Sequence, residues 1–131
     1  MTFICISFKK TLKGLHGTLE NQHNIGGLHS TLVFDPSQEE RDLFQIGDIV
    51  ECQITGYGNN GKNEGLAIEF KTPCLTGAQT KHITLSVARG ESRVNTGYIE
   101  FGGEESLREF EARTGQAVPR TVRGVIREVK C

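Results

Sequence analysis

The sequence predicts an α+β fold in which short helices pack outside an antiparallel sheet. The 131-residue chain contains 16 glycines and three prolines, which divide it into short pieces and favour strands and turns over long helices. Several of these pieces alternate apolar and polar residues, as half-buried strands do. Together they indicate about seven strands and two or three short helices in a single domain, residues 1–131.

The first quarter of the chain is expected to hold two strands with a helix between them. Residues 2–8 have a β-rich composition, and residues 28–34 read as a second strand. Within 9–27, leucines at spacings of three and four residues favour a short helix, while two glycines weaken that pattern. These residues are Leu12, Leu15 and Leu19, with Gly14 and Gly17.

The middle of the chain is expected to form a helical turn and a β-hairpin. Residues 35–37 open the helical turn, with Pro36 at its first position. Residues 48–57 alternate strongly, the Asn-rich segment 58–63 favours a tight turn, and residues 66–70 return as the partner strand.

The remaining elements follow the same two patterns. Residues 72–80 are expected to be a loop, and residues 81–88 and 96–101 two further strands. Residues 104–113 carry two apolar residues among charges, which predicts an amphipathic helix. Residues 121–129 alternate and form the last strand.

The charge balance restricts the partners of the chain. There are 15 basic and 16 acidic residues, so the formal net charge is -1. This excludes a strongly basic protein that binds long duplex nucleic acid non-specifically. No apolar run approaches the length of a membrane span, and the N-terminus lacks a basic region followed by a cleavage site. We therefore expect a cytoplasmic protein with no membrane partner.

The four cysteines form neither a metal-binding nor a redox motif. No two of them stand at Cys-x-x-Cys spacing, and the chain has no carboxylate-rich segment that would suit a metal ion. We expect reduced structural thiols, no metal and no other cofactor. The cysteines are Cys5, Cys52, Cys74 and Cys131.

The most informative pattern is a His-x-Thr-Leu sequence that occurs in two predicted strands. Segment 28–34 reads LHSTLVF and segment 81–87 reads KHITLSV. Because side chains alternate along a strand, His29, Thr31 and Val33 are expected on one face, and His82, Thr84 and Ser86 on one face. We expect the two histidines on adjacent central strands, facing one groove.

Two histidines and two threonines that converge suit a particular chemistry. In-line cleavage of a phosphodiester needs a base for the nucleophile and an acid for the leaving oxygen, and histidine serves both roles near neutral pH. Threonine hydroxyls donate hydrogen bonds to phosphate oxygens. A third copy, His16-Gly17-Thr18-Leu19, lies in a segment that reads as helix or loop, so His16 is the rival of His29 for the first position, and His23 reads as a loop residue.

The paired strands resemble those of the 2H phosphoesterase superfamily, which includes LigT-type 2′-5′ RNA enzymes, cyclic phosphodiesterases of RNA repair and phage enzymes that destroy cyclic oligonucleotide signals. The resemblance covers residues 28–101 and implies two pseudo-symmetric lobes that form a concave sheet around a groove. It also implies that His29 and His82 are the acid–base pair and that Thr31 and Thr84 bind phosphate.

Three further side chains are candidates for substrate binding. Because the chain has no tryptophan, Tyr57 is a candidate for stacking on a base, with Tyr98 as an alternative. Arg93 is a candidate for clamping a phosphate, and Asn95 for reading a base edge.

These observations predict a metal-independent phosphodiesterase that acts on cyclic nucleotides, on 2′,3′-cyclic phosphates of RNA ends or on cyclic oligonucleotide signals. One alternative is a non-catalytic module that sequesters a phosphate-bearing nucleotide. The other is a structural subunit in which the repeated motif is accidental.

Overall fold

The computed structural model describes residues 1–23, 27–71 and 80–130. In this part of the chain, seven strands form one antiparallel sheet in the order β2-β6-β5-β4-β7-β1-β3, accompanied by a few short helices. The strands are β1 Thr2–Ser7, β2 Asn21–Gln22, β3 His29–Phe34, β4 Ile49–Asn59, β5 Asn63–Phe70, β6 His82–Val87 and β7 Thr121–Lys130. The helices are α1 Gln38–Leu43, the 3₁₀ helix Arg93–Tyr98 and α2 Glu104–Thr114.

The α+β class and the main strands agree with the sequence-based prediction, but three local predictions are wrong. The described part of 9–27 contains turns and the short strand β2 instead of a helix. The strand expected at 96–101 is replaced by a 3₁₀ helix, whose first turn is capped by the Ser92 side chain. Ser37, one residue after Pro36, is the N-cap of α1 and forms a capping box with Glu40.

The predictions for some other residues concern positions outside the described ranges. These are the greater part of the loop 72–80, together with Cys74 and Cys131. Cys5 and Cys52 are buried free thiols, and burial raises the pKa of Cys5 to about 12 and that of Cys52 to about 11.

One face of the sheet carries the hydrophobic core. Alternate residues of every long strand meet there, for example Ile4 and Ile6 of β1 and Ile83 and Leu85 of β6. Helix α2 closes this side by inserting two buried residues, Leu107 and Phe110, whereas α1 buries none of its side chains. The residues that alternate with the core therefore occupy the opposite face of the sheet.

The sheet curls strongly enough to bring β3 and β6 together. Four strands separate these two in the hydrogen-bonded order, yet their residues pack against each other. The Thr80 hydroxyl, just before β6, donates a hydrogen bond to the carbonyl oxygen of Thr31 at 2.5 Å. This approach joins two parts of the chain that are distant in sequence.

Candidate active site

A cleft of about 240 Å³ opens where β3 approaches β6, and both His-x-Thr pairs line it. These four residues are His29, Thr31, His82 and Thr84. The expectation that their strands are adjacent and central is wrong, because β3 is the last strand of the sheet and β6 is the second from the other end. Curling of the sheet, and not strand pairing, brings the two copies to one cleft.

A β-bulge follows the threonine in both copies of the motif. In the pairing of β1 with β3, Cys5 lies opposite Thr31 and Ile4 lies opposite Val33, so Leu32 has no partner. In the pairing of β5 with β6, Gly65 lies opposite Thr84 and Glu64 lies opposite Ser86, so Leu85 has none. Each extra residue reverses the alternation beyond it.

The bulge corrects the predicted faces of the first motif strand. Val33, which was expected beside His29 and Thr31, is buried in the core together with Leu32. Phe34, which was expected on the core face, lines the cleft instead. Strict alternation therefore holds only up to the threonine of the motif.

Thr84 is held in place by a buried hydroxyl network. Its Oγ1 lies 2.8 Å from Oγ1 of Thr96, in the 3₁₀ helix. The Asn63 amide donates to the same Thr96 oxygen at 2.8 Å and to the carbonyl oxygens of Ser92 and Arg93 at 3.1 and 3.2 Å. When Thr96 donates to Thr84, the hydroxyl proton of Thr84 is available to a ligand in the cleft.

The tautomer of neutral His29 follows from its hydrogen bond. Nδ1 lies 3.0 Å from the carbonyl oxygen of Gly27. A carbonyl oxygen only accepts, so Nδ1 carries the proton and Nε2 presents a lone pair. Burial lowers the pKa of His29; the bond to Gly27 opposes this effect and the Arg93 guanidinium adds to it.

His23 is a third histidine of the cleft, and the sequence gave no sign of it. Its ring centroid lies 5.4 Å from that of His29, and it follows the short strand β2. Burial lowers its pKa to about 4, with smaller contributions from His29 and Arg93. Burial and the charge of His29 also lower the pKa of His82. At neutral pH the empty cleft thus contains neutral imidazoles.

Arg93 supplies the cationic group of the cleft. It begins the 3₁₀ helix and lines the cleft beside Val94, as its predicted role in phosphate binding requires. Phe3, whose ring centroid is 5.1 Å from that of His29, provides an apolar wall together with Phe34. Aromatic rings beside a cationic group suit a ligand that carries both a base and a phosphate.

Two of the predicted binding residues lie away from this cleft. Tyr57 is packed in the core with its ring centroid 4.6 Å from that of Phe110, and its hydroxyl donates to the buried carboxylate of Glu64. Asn95 directs its amide to Glu91 at 3.1 Å on the exposed side of the 3₁₀ helix. Neither side chain is among those that line the cleft.

The third copy of the motif has a structural role. His16 is exposed, and its backbone pairs with the side chain of Gln116, so it is not placed to replace His29. Thr18 donates from its backbone N–H and its hydroxyl to the Glu64 carboxylate, at 2.6 and 2.7 Å. The Ser86 hydroxyl donates to the same carboxylate at 2.7 Å, which fastens this turn to the sheet.

The described residues contain no group of three metal-ligating side chains close enough to hold an ion. Within the same ranges, no helix has the length and apolar character needed to cross a membrane. Comparisons with protein-family models, with curated proteins and with solved structures found no match to this chain. The functional argument therefore depends on the chemistry of the cleft.

Proposed function

We propose that the protein is a metal-independent phosphodiesterase that hydrolyses 2′,3′-cyclic phosphates or cyclic nucleotide linkages. The observation that carries this proposal is the convergence of both His-x-Thr pairs and Arg93 on one cleft. Each of these five side chains has a function in cleavage of a phosphodiester: two for proton transfer and three for binding the phosphate oxygens.

The tautomer of His29 makes it the base in this proposal. Its unprotonated Nε2 accepts the proton of a water molecule whose oxygen forms a bond to phosphorus. Protonated His82 donates its proton to the leaving ribose oxygen as the bond from phosphorus to that oxygen breaks. Proton exchange with solvent then restores both imidazoles. Thr31, Thr84 and Arg93 stabilise the charge on the non-bridging oxygens.

The strand order supports the proposed resemblance to 2H phosphoesterases. Starting from the central β4–β7 pair, one half of the sheet runs β7-β1-β3 and the other runs β4-β5-β6. The His-x-Thr strand is the third in each half, and each has its bulge at the leucine after the threonine. We propose that these halves are the two pseudo-symmetric lobes that the family comparison implies.

One observation favours a second candidate, a binding module that sequesters a nucleotide without cleaving it. The pKa values of His23, His29 and His82 are all lowered, whereas acid–base catalysis requires one histidine to be protonated. In the phosphodiesterase, the negative charge of the bound substrate raises the pKa of His82 and supplies the protonated form. In the binding module, no such step is needed.

The decisive experiment is turnover in the presence of EDTA. The purified protein is incubated with 2′,3′-cyclic nucleotides, cyclic oligonucleotides and oligoribonucleotides that end in a 2′,3′-cyclic phosphate, and products are identified by mass spectrometry. We expect a ring-opened monophosphate. His29→Gln and His82→Gln should each lower the rate by about 10²–10⁴-fold.

His16→Gln is the matched control, because it removes the same side chain from a third copy of the motif outside the cleft. It should leave the rate unchanged. Activity that needs a divalent cation, or equal losses in all three variants, would refute the proposal. Tight binding without product would favour the sequestering module.

A further inference from the structure

A second cleft, of about 500 Å³, lies beside the first and is lined by five cationic side chains. Three lysines come from the segment after β1, and two arginines come from β7. They are Lys9, Lys10, Lys13, Arg123 and Arg127. All five are exposed, although the net charge of the whole chain is only -1. The basic residues are therefore concentrated here.

The cationic side chains are fixed to the sheet and largely uncompensated. The Thr11 hydroxyl donates to the carbonyl oxygen of Arg123 at 2.8 Å, which holds the lysine-bearing turn against β7. Within the described residues, Arg123 has one long ion pair, at 3.9 Å to Glu51, and the lysines and Arg127 have none. Such a surface attracts an anion with several charges.

Strand register shows that the two clefts share one face of the sheet. Ser7, which lines the second cleft, lies directly opposite His29. Thr31 lies opposite Cys5, and Cys5 lies opposite Arg127 on the other side. Two strand spacings therefore separate Thr31 from Arg127, a distance of about 10 Å between their backbones.

We propose that this basic cleft binds the sugar–phosphate backbone of a single-stranded oligoribonucleotide whose terminal phosphate occupies the first cleft. The inference rests on the proposed function and narrows the substrate from a mononucleotide to an RNA strand. Backbone contacts of this kind are insensitive to sequence and weaken with salt. The exposed Ile49 between the cations offers an apolar contact to a base.

The test measures binding and turnover separately. Affinities for a dinucleotide and a dodecamer, each with a 2′,3′-cyclic phosphate, are measured in the His82→Gln background, where cleavage is slow. R123Q/R127Q should weaken dodecamer binding roughly tenfold and leave the dinucleotide unchanged. Its salt dependence should fall by about 1.4 in slope, because each lost contact to a single strand removes about 0.7.

The matched control is K62Q/R108Q, which removes two exposed cations outside both clefts. It should bind both ligands normally. Equal affinity for the two lengths, or a polyglutamate peptide that competes as well as RNA, overturns the inference. If cyclic mononucleotides are still hydrolysed in that case, the proposed function stands. Length-dependent binding through Arg123 and Arg127 without any turnover has the opposite meaning: it supports the strand-binding cleft and refutes the enzyme.

Discussion

The two copies of the motif share their sequence pattern and their bulge but differ in how firmly they are held. On β6, Thr84 is buried and bonded through Thr96 to Asn63, in the interior of the protein. On β3, Thr31 is partly exposed, and the hydrogen bond from Thr80 reaches only its backbone carbonyl. The comparison indicates that the β6 half is fixed before a ligand binds, whereas the side chain of Thr31 is free to adjust to it.

The largest expected effect separates the two histidines by their pH profiles. If His29 is the base and His82 the acid, kcat/KM of the native protein follows a bell-shaped curve. His29→Gln should remove the acidic limb and His82→Gln the basic limb, each with a rate loss of about 10²–10⁴-fold. Single-turnover rates between pH 4.5 and 9 measure both.

A double variant tests whether the two copies act as a unit. His29→Gln/His82→Gln should be little slower than either single variant, because one missing proton transfer already disables the pair. Additive losses would show that the histidines act independently. Loss of the same limb in both single variants would show that the roles assigned here are wrong.

The next effect distinguishes the threonines. Thr31→Ala and Thr84→Ala each remove a hydrogen bond to a charged phosphate oxygen, worth about 1.5–3 kcal/mol, so affinity and rate should fall roughly ten- to hundredfold. Only Thr84→Ala should also lower stability, by about 1–3 kcal/mol, because it leaves buried partners in the Thr96 network unsatisfied. Urea unfolding, together with ligand titration, checks this; equal stability losses would remove the distinction between the two copies.

A smaller effect comes from the histidine cluster that spans both halves. The pKa values of His23, His29 and His82 are lowered in the folded protein, so below about pH 6.5 the unfolded chain binds more protons. Stability should be full above that pH and fall as the pH drops to about 4, the pKa of His23. Thermal melts across this range should show the decline.

His23→Gln tests the origin of that decline. The variant should have a shallower dependence of Tm on pH and an unchanged Tm at pH 8, compared with a His16→Gln control that follows the native curve. An identical slope in all three proteins would exclude the histidine cluster as the cause.

The smallest effect is expected at the predicted contact that lies outside the cleft. Asn95→Ala should leave affinity and rate within about twofold, because its amide bonds to Glu91 on the exposed side. Arg93→Gln, two residues earlier, should weaken binding about tenfold through loss of a charge-assisted hydrogen bond to phosphate. Titration with a 2′,3′-cyclic nucleotide compares the two, and equal losses would contradict the placement of Arg93.

Much of the fold was predictable because strand alternation and turn residues are local signals. The strands around His29 and His82 and the helix with Leu107 and Phe110 follow directly from periodicity. The bulges at Leu32 and Leu85 do not, because a bulge depends on the partner strand. The position of Phe34 in the cleft follows from such a bulge and was therefore missed.

The third copy shows why the site was only partly predictable. His16-Gly17-Thr18-Leu19 has the same pattern as the two strand copies, yet its threonine binds the buried carboxylate of Glu64. That partner lies more than forty residues away in sequence and carries no local mark. His23 was missed for the same reason: long-range packing places it beside His29.

The contact between β3 and β6 also bears on how the protein folds. A cleft whose two walls lie at residues 29–34 and 82–87 forms only after a long loop of chain has closed, and such closure is slow in folding. Ligand-binding competence should therefore recover late in refolding, after the β4–β5 hairpin has formed. A nascent chain released before residue 82 has only one wall of the cleft, so binding is acquired only once both halves have been synthesised.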